Sequence, residues 1–181
     1  MRRPTRDEIG AAAGRTLPDL LAPGLRVLVC GINPSLYSAA AGCHFARPGN
    51  RFWRALDAAG LTPRLLAPSE GAELLALGIG ITNLVERATA RADELSSEEI
   101  RAGVAPLLAK VRRLKPRTVA VLGIGAYRTA FDRPGAEMGP QPDPFGSARL
   151  WVLPNPSGLN AHYQLAALAE KFLELGQASG L

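Results

Sequence analysis

Four short runs of the chain are apolar without clean polar alternation: residues 25–30 (LRVLVC), 79–84 (IGITNL), 118–122 (TVAVL) and 150–153 (LWVL). That pattern predicts strands covered on both faces. Between them the apolar spacing turns helical. Residues 52–59 (FWRALDAA) form one such segment. Residues 98–114 form another, opened by Ser96 and Glu99 at capping-box spacing and closed by Pro116. Residues 126–131 are a short third, and 161–175 a last amphipathic helix with Gly176 as the expected C-cap. Thr5 and Glu8 repeat the capping-box spacing, so residues 5–16 are expected to form a loosely attached helix.

Strand and helix in alternation predict an α/β fold: a three-layer α/β/α sandwich around a short, mainly parallel four-stranded sheet. The expected organisation is an N-terminal extension over 1–19 and a single domain over 20–181. In such folds ligands bind at the carboxyl ends of the strands. Two motifs fall there. Gly31-Ile32-Asn33-Pro34-Ser35 follows the first strand, and Pro154-Asn155-Pro156-Ser157-Gly158-Leu159-Asn160 follows the last. Proline restricts the residue before it, so Asn33 sits on stiff backbone. Its amide can orient a water or a substrate but cannot act as a general base near neutrality. The stretch 35–49 lacks helical or strand periodicity and carries Tyr37, His44 and Phe45, which makes Phe45 a candidate stacking platform for a flat base.

Composition narrows the classes. The chain has 181 residues, 47% hydrophobic and 20% charged, as a folded domain requires. No apolar run approaches the roughly 20 residues of a membrane span, so a membrane protein is not expected. Two cysteines, Cys30 and Cys43, are too few for a four-cysteine metal or iron–sulfur site. The N-terminal residues lack a signal-type apolar core, so a reducing cytoplasm with free cysteines is expected. The net charge of +5 is unevenly spread: residues 65–100 hold two bases and seven acids, whereas 101–149 hold nine bases and three acids. A basic chain with an acidic band suggests a polyanionic partner. The acidic band also supplies Glu86, Asp93 and Glu94 after the second strand. Asp93, in the loop before Ser96, is the favoured carboxylate to reach the cleft.

GINPS, GNRFW (49–53), ITNLVERATARADEL (81–95) and WVLPNPSGLN (151–160) resemble the mismatch-specific uracil/thymine-DNA glycosylase branch of the uracil-DNA glycosylase superfamily. The likeness runs in consistent order from Leu21 to Leu175. It implies a monomeric, metal- and cofactor-free repair enzyme that flips uracil out of a G-containing mismatch in double-stranded DNA. Hydrolysis of the N-glycosidic bond then leaves an abasic site. The same likeness implies that Asn33 positions the attacking water and that Phe45 stacks on the base. It assigns charge stabilisation on the departing base to backbone N–H groups around Ile32 and Ser38. It makes Leu159 the wedge of an intercalating segment with Ser157, Gly158 and Asn160. Arg47, Arg51 and Arg54 are candidate phosphate contacts. The chain departs from many relatives at Ser35, where glycine is common, at 160–162, which lack a basic residue, and at Asn83, where some carry lysine.

Two other readings stand beside this one. A Rossmann nucleotide site is disfavoured because Arg128 occupies the place of the third glycine after Gly123 and Gly125. A non-catalytic damaged-DNA binder would keep Phe45 and Leu159 while lacking turnover.

Overall fold

The computed structural model describes residues 2–181. Helix α1 (Arg6–Gly10) precedes strand β1 (Val27–Gly31), helix α2 (Leu36–Ala41), helix α3 (Phe52–Ala58), the short helix α4 (Glu73–Ala76) and strand β2 (Ile79–Asn83). Next in the chain are α5 (Ser97–Ala102), α6 (Val104–Leu114), β3 (Thr118–Leu122), α7 (Ile124–Phe131), β4 (Gly139–Pro140), β5 (Arg149–Leu153) and α8 (Leu165–Ser179). Among the described residues the sheet has five strands in the order β2-β1-β3-β5-β4, one more than the sequence predicts. The four expected strands are parallel. The addition, β4, pairs antiparallel with Trp151 and Val152. It is two residues long, Gly and Pro, and so carries no strand signal of its own.

Both faces of the sheet are buried, which explains the missing polar alternation. Val27, Val29, Ile79, Ile81, Leu122 and Leu153 pack beneath α3 and α8, against Phe52, Leu56, Leu168 and Phe172. Leu28, Val119, Val121 and Val152 face the other way, onto Leu107 and Val111 of α6 and Tyr127 of α7. Successive residues of each strand thus serve opposite layers. Full burial of side chains such as Phe52 and Phe172 stabilises the fold by about 2–3 kcal/mol each.

Several boundaries differ from the sequence reading. The helix expected over 98–114 is two helices broken at Gly103. Pro106 cannot donate to Ala102, and its ring crowds that carbonyl. Gly103 also presses so close to the strand exit that a Cβ there would lie 2.2 Å from Leu84 O. The last helix starts later and runs on to Ser179, capped by Gly180 at φ 72°. Gly176, the expected cap, lies inside it, where an added Cβ would meet Leu61 at 2.4 Å.

The N-terminal segment is not loosely attached. Its helix is one short turn with the Thr5–Glu8 capping box formed. Residues 12–20, beyond that turn, are pinned to the domain. Ala12 is buried, Gly14 N–H donates to Ala88 O at 3.0 Å, and Ala88 N–H donates back to Arg15 O at 2.8 Å. Asp19 pairs with Lys110 of α6 at 2.7 Å, and Leu20 bridges Ile81 of β2.

Candidate active site

A cleft of 560 Å³ opens at the carboxyl edge of the sheet. Asn33 and Leu159, 126 positions apart, both line it, as do Ile32, Ser38, Phe45, Asn83, Asp93, Ser157 and Asn160. The parallel topology accounts for this meeting: β1 and β5 run the same way with β3 between them, so their exits share one edge.

The loop after β1 is zipped to the loop after β2. Leu84 and Val85 N–H donate to Gly31 and Ile32 carbonyls, Thr89 N–H to Pro34 O, and Leu36 N–H to Thr89 O. Within this frame Asn33 Nδ2 donates to Arg87 O at 3.0 Å and to Thr89 Oγ1 at 2.7 Å. A carbonyl only accepts, so the amide orientation is fixed with nitrogen on that side. Thr89 Oγ1 in turn donates to Arg91 O at 2.7 Å. Asn33 Oδ1 is left as the amide's acceptor on the cleft-lining residue. Arg87 is itself held by a two-pronged pair with Glu99, at 2.6 and 3.0 Å, and those bonds draw the Glu99 carboxyl down to a pKa of about 2.

The stretch expected to lack structure contains α2. Ser35 caps it, with Ser38 N–H donating to Ser35 Oγ at 3.2 Å, and Gly42 at φ 67° ends it. Six residues are too few to show a period. The bond changes the expectation for Ser38, because its backbone N–H is spent on the cap. Its buried hydroxyl accepts from Ser35 Oγ and from Ala46 N–H, which fastens the Phe45 turn to α2.

Phe45 has φ 53°, a left-handed backbone that costs a bulky residue about 1 kcal/mol or more. Unlike Lys115 and Asp132, which take that conformation as helix C-caps, Phe45 caps nothing. Its ring stacks on Phe52, centroids 4.1 Å apart, so a buried aromatic layer backs the ring that lines the cleft. His44 is buried beside it. Its Nε2–H donates to Pro18 O at 2.9 Å, and burial holds its pKa below the ordinary imidazole value.

Asn83 was no candidate from the sequence, yet it forms part of the pocket floor. It ends β2 in register with Gly31 and is 6% exposed. A Cβ on Gly31 would lie 2.5 Å from Asn83 Oδ1 and 3.6 Å from Phe45 Cζ. Only glycine at the end of β1 lets this amide lie beside the aromatic ring. The signal was available: Asn83 closes an apolar strand at the same edge as Asn33.

Asp93 sits in a single helical turn, Ala92–Glu94, at the cleft wall. Its side chain is 62% exposed and paired with Arg91. Glu86 points elsewhere, toward Lys110 at 3.6 Å. Leu159, on the same cleft lining, is 75% exposed, the most exposed of the large apolar residues described. Its turn is bonded to itself: Ser157 N–H donates to Asn155 Oδ1 at 3.0 Å, and Asn160 Nδ2 donates to Asn155 O at 2.9 Å. Gly158 abuts the 47–50 segment so tightly that a Cβ would lie 2.7 Å from Gly49 O. Of the three candidate phosphate contacts, Arg47 and Arg54 are exposed, but Arg51 is buried.

The cleft lining therefore combines an aromatic ring, two amides and a bare apolar side chain. Comparison with known proteins places the arrangement. The uracil DNA glycosylase superfamily model matches residues 18–175. Among solved structures the chain is similar to a candidate uracil DNA glycosylase from Methanosarcina acetivorans, determined by solution NMR. The two share 21% identity at a TM-score of 0.58, over 90% of this chain and 98% of that one. That second likeness speaks for the fold, while the first spans the strands, both loops and the cleft between them. The chain belongs to the uracil DNA glycosylase superfamily, the DNA-repair hydrolases that act on uracil in DNA.

Proposed function

We propose that the protein is a monofunctional, monomeric glycosylase that removes uracil flipped from a G-containing mismatch in double-stranded DNA, leaving an abasic site. The observation that carries this reading is the convergence of Asn33 and Leu159 on one cleft. Extruding a base costs a few kcal/mol, least at a mismatch. An exposed leucine on a tight turn is suited to fill the vacated stack. The extruded pyrimidine lies against Phe45, and the Asn83 carboxamide offers a donor and an acceptor to its polar edge. Ile32 lines the same pocket where the departing base gathers charge.

The chemistry follows from what Asn33 lacks. An amide oxygen accepts a hydrogen bond from water but does not take its proton. Water so held attacks effectively only a sugar already carrying much positive charge, after the glycosidic bond has largely broken. Asp93 is the carboxylate at the same cleft. Its charge stabilises that cationic sugar, and the proton released by water passes toward it or to solvent. Slow turnover is the expected consequence.

Single-turnover excision on G·U, G·T, A·U and single-stranded U tests the reading, with wild type, Asn33→Ala and Asp93→Asn side by side. Alkali-labile sites in G·U duplex, at rates exceeding those in A·U, are expected for wild type. Asn33→Ala removes most of that rate. An unchanged rate for Asp93→Asn takes Asp93 out of the mechanism. Tight binding to G·U duplex with no strand breaks at stoichiometric protein would make the chain a damage sensor instead.

A further inference from the structure

Resting on that functional reading, we propose that Arg51 is the positioning residue of the wedge turn: it gathers the turn's carbonyls and so aims Leu159 and two free backbone donors at DNA. Arg51 opens α3 and is 9% exposed. Its backbone N–H donates to Pro156 O at 2.9 Å. Its guanidinium donates to Tyr163 O at 2.6 Å, to Asn160 O at 2.8 Å and to Ser157 O. Four carbonyls on both limbs of the 155–163 loop thus converge on one residue.

Nothing local explains a charge at this place. Among the described residues no carboxylate pairs with Arg51, and its buried Nε has no acceptor. Burying a guanidinium without a carboxylate is costly, and here the carbonyls of the turn are what it is held by. The carbonyl set also suits arginine rather than lysine, because a planar fork can reach three separated oxygens at once.

The consequence for DNA comes from peptide planarity. In a trans peptide the C=O and the following N–H point in opposite directions. With the Ser157 and Asn160 carbonyls drawn in toward Arg51, the N–H groups of Gly158 and Ala161 point away from it. Neither has an acceptor among the described residues. They flank Leu159 and Asn160 as open donors, suited to phosphate oxygens or base-edge acceptors. Arg51 thereby sets both the wedge and the polar grip beside it without touching DNA.

Two measurements on the full chain decide this. Hydrogen exchange of the free protein reads the clamp without any activity. In Arg51→Met, a change that keeps the stem and removes the donors, the amides of Leu159, Asn160 and His162 are expected to exchange about tenfold faster or more, with β1 unchanged and Arg51→Lys in between. Single-turnover excision on G·U duplex reads the coupling. Arg51→Met is expected to lose about tenfold in wild type but only about threefold on top of Leu159→Ala, because the wedge is then already gone and only the two backbone donors remain to be misplaced. Unchanged exchange in the turn overturns the proposal. So does a rise at β1 in step with the turn, or losses that multiply in the double variant. Should Arg51→Met fail to fold, Arg51→Lys carries the same cycle. If wild type excises from no duplex, the functional reading fails and the exchange result still decides the clamp.

Discussion

The two walls of the cleft are built by opposite strategies. The Asn33 wall is the continuation of a buried sheet: two strand exits joined by backbone bonds, with the Asn33 amide held by a carbonyl and a hydroxyl at 3.0 and 2.7 Å. The Leu159 wall is a surface turn, bonded mainly to itself and to one arginine, ending in a side chain that touches little. The difference matches the two tasks proposed for them. Orienting a water needs sub-ångström placement, which only a rigid scaffold provides. A wedge must enter a partner whose stack opens and closes, so its apolar surface has to stay uncovered until DNA covers it.

The sharpest way to break this contrast is Asn33→Ala. Loss of the acceptor proposed to hold the water should cut single-turnover excision by about a thousandfold, on every substrate alike, with Tm lowered by a few degrees because the bonds to Arg87 O and Thr89 are lost with it. A loss confined to duplex substrates would place Asn33 in DNA engagement and erase the distinction between the walls.

Gly31→Ala tests whether the first wall depends on shape as much as on its amide. The added Cβ would lie 2.5 Å from Asn83 Oδ1, so the Asn83 carboxamide must turn away from the pocket floor. Tens-fold slower excision is expected, with Tm lowered by a few degrees. Wild-type rates in this variant would show that the Asn83 amide does not touch the base.

How much of this was legible beforehand differs between the walls. The strands, the layer order and the meeting of the two strand-end motifs follow from apolar runs and topology alone, because a parallel sheet puts all its exits on one edge. What sequence spacing does not carry is commitment of hydrogen bonds. Ser38 N–H reads as an open donor until Ser35 is seen to cap α2. Arg51 reads as one more surface base until three carbonyls surround it. Asn83 and Pro106 were readable and pointed to consequences the spacing of apolar residues hid: a floor amide, and a helix broken at Gly103.

Leu159→Ala addresses the second wall directly. The side chain is 75% exposed, so Tm should hardly move. Excision from G·U duplex should fall about tenfold, since the vacated stack is no longer filled. Any single-stranded activity should stay near wild type, and equal losses on both substrates would contradict a wedge.

The smallest effect concerns the brace that ties the Phe45 turn to the N-terminal segment. Neutral His44 donates to Pro18 O, and Trp53 Nε1–H donates to the His44 carbonyl at 3.1 Å. Burial lowers the folded-state pKa of His44 below the unfolded value of 6.5. The unfolded chain therefore takes up the proton first. The stabilisation is complete above the unfolded value and is lost as pH falls through it. Carboxylates such as Glu8 and Glu99, held at a pKa of about 2, keep their contributions above the ordinary carboxyl value of 4.5 and lose them as pH falls through it. Between about pH 8 and about pH 6 the His44 effect is thus separable. Tm should fall over that interval in wild type and stay flatter in His44→Gln, whose amide can still donate to Pro18 O. If the two profiles coincide, the turn that presents Phe45 is held by α2 and Phe52 alone, and the rigid wall needs no support from the N-terminal segment.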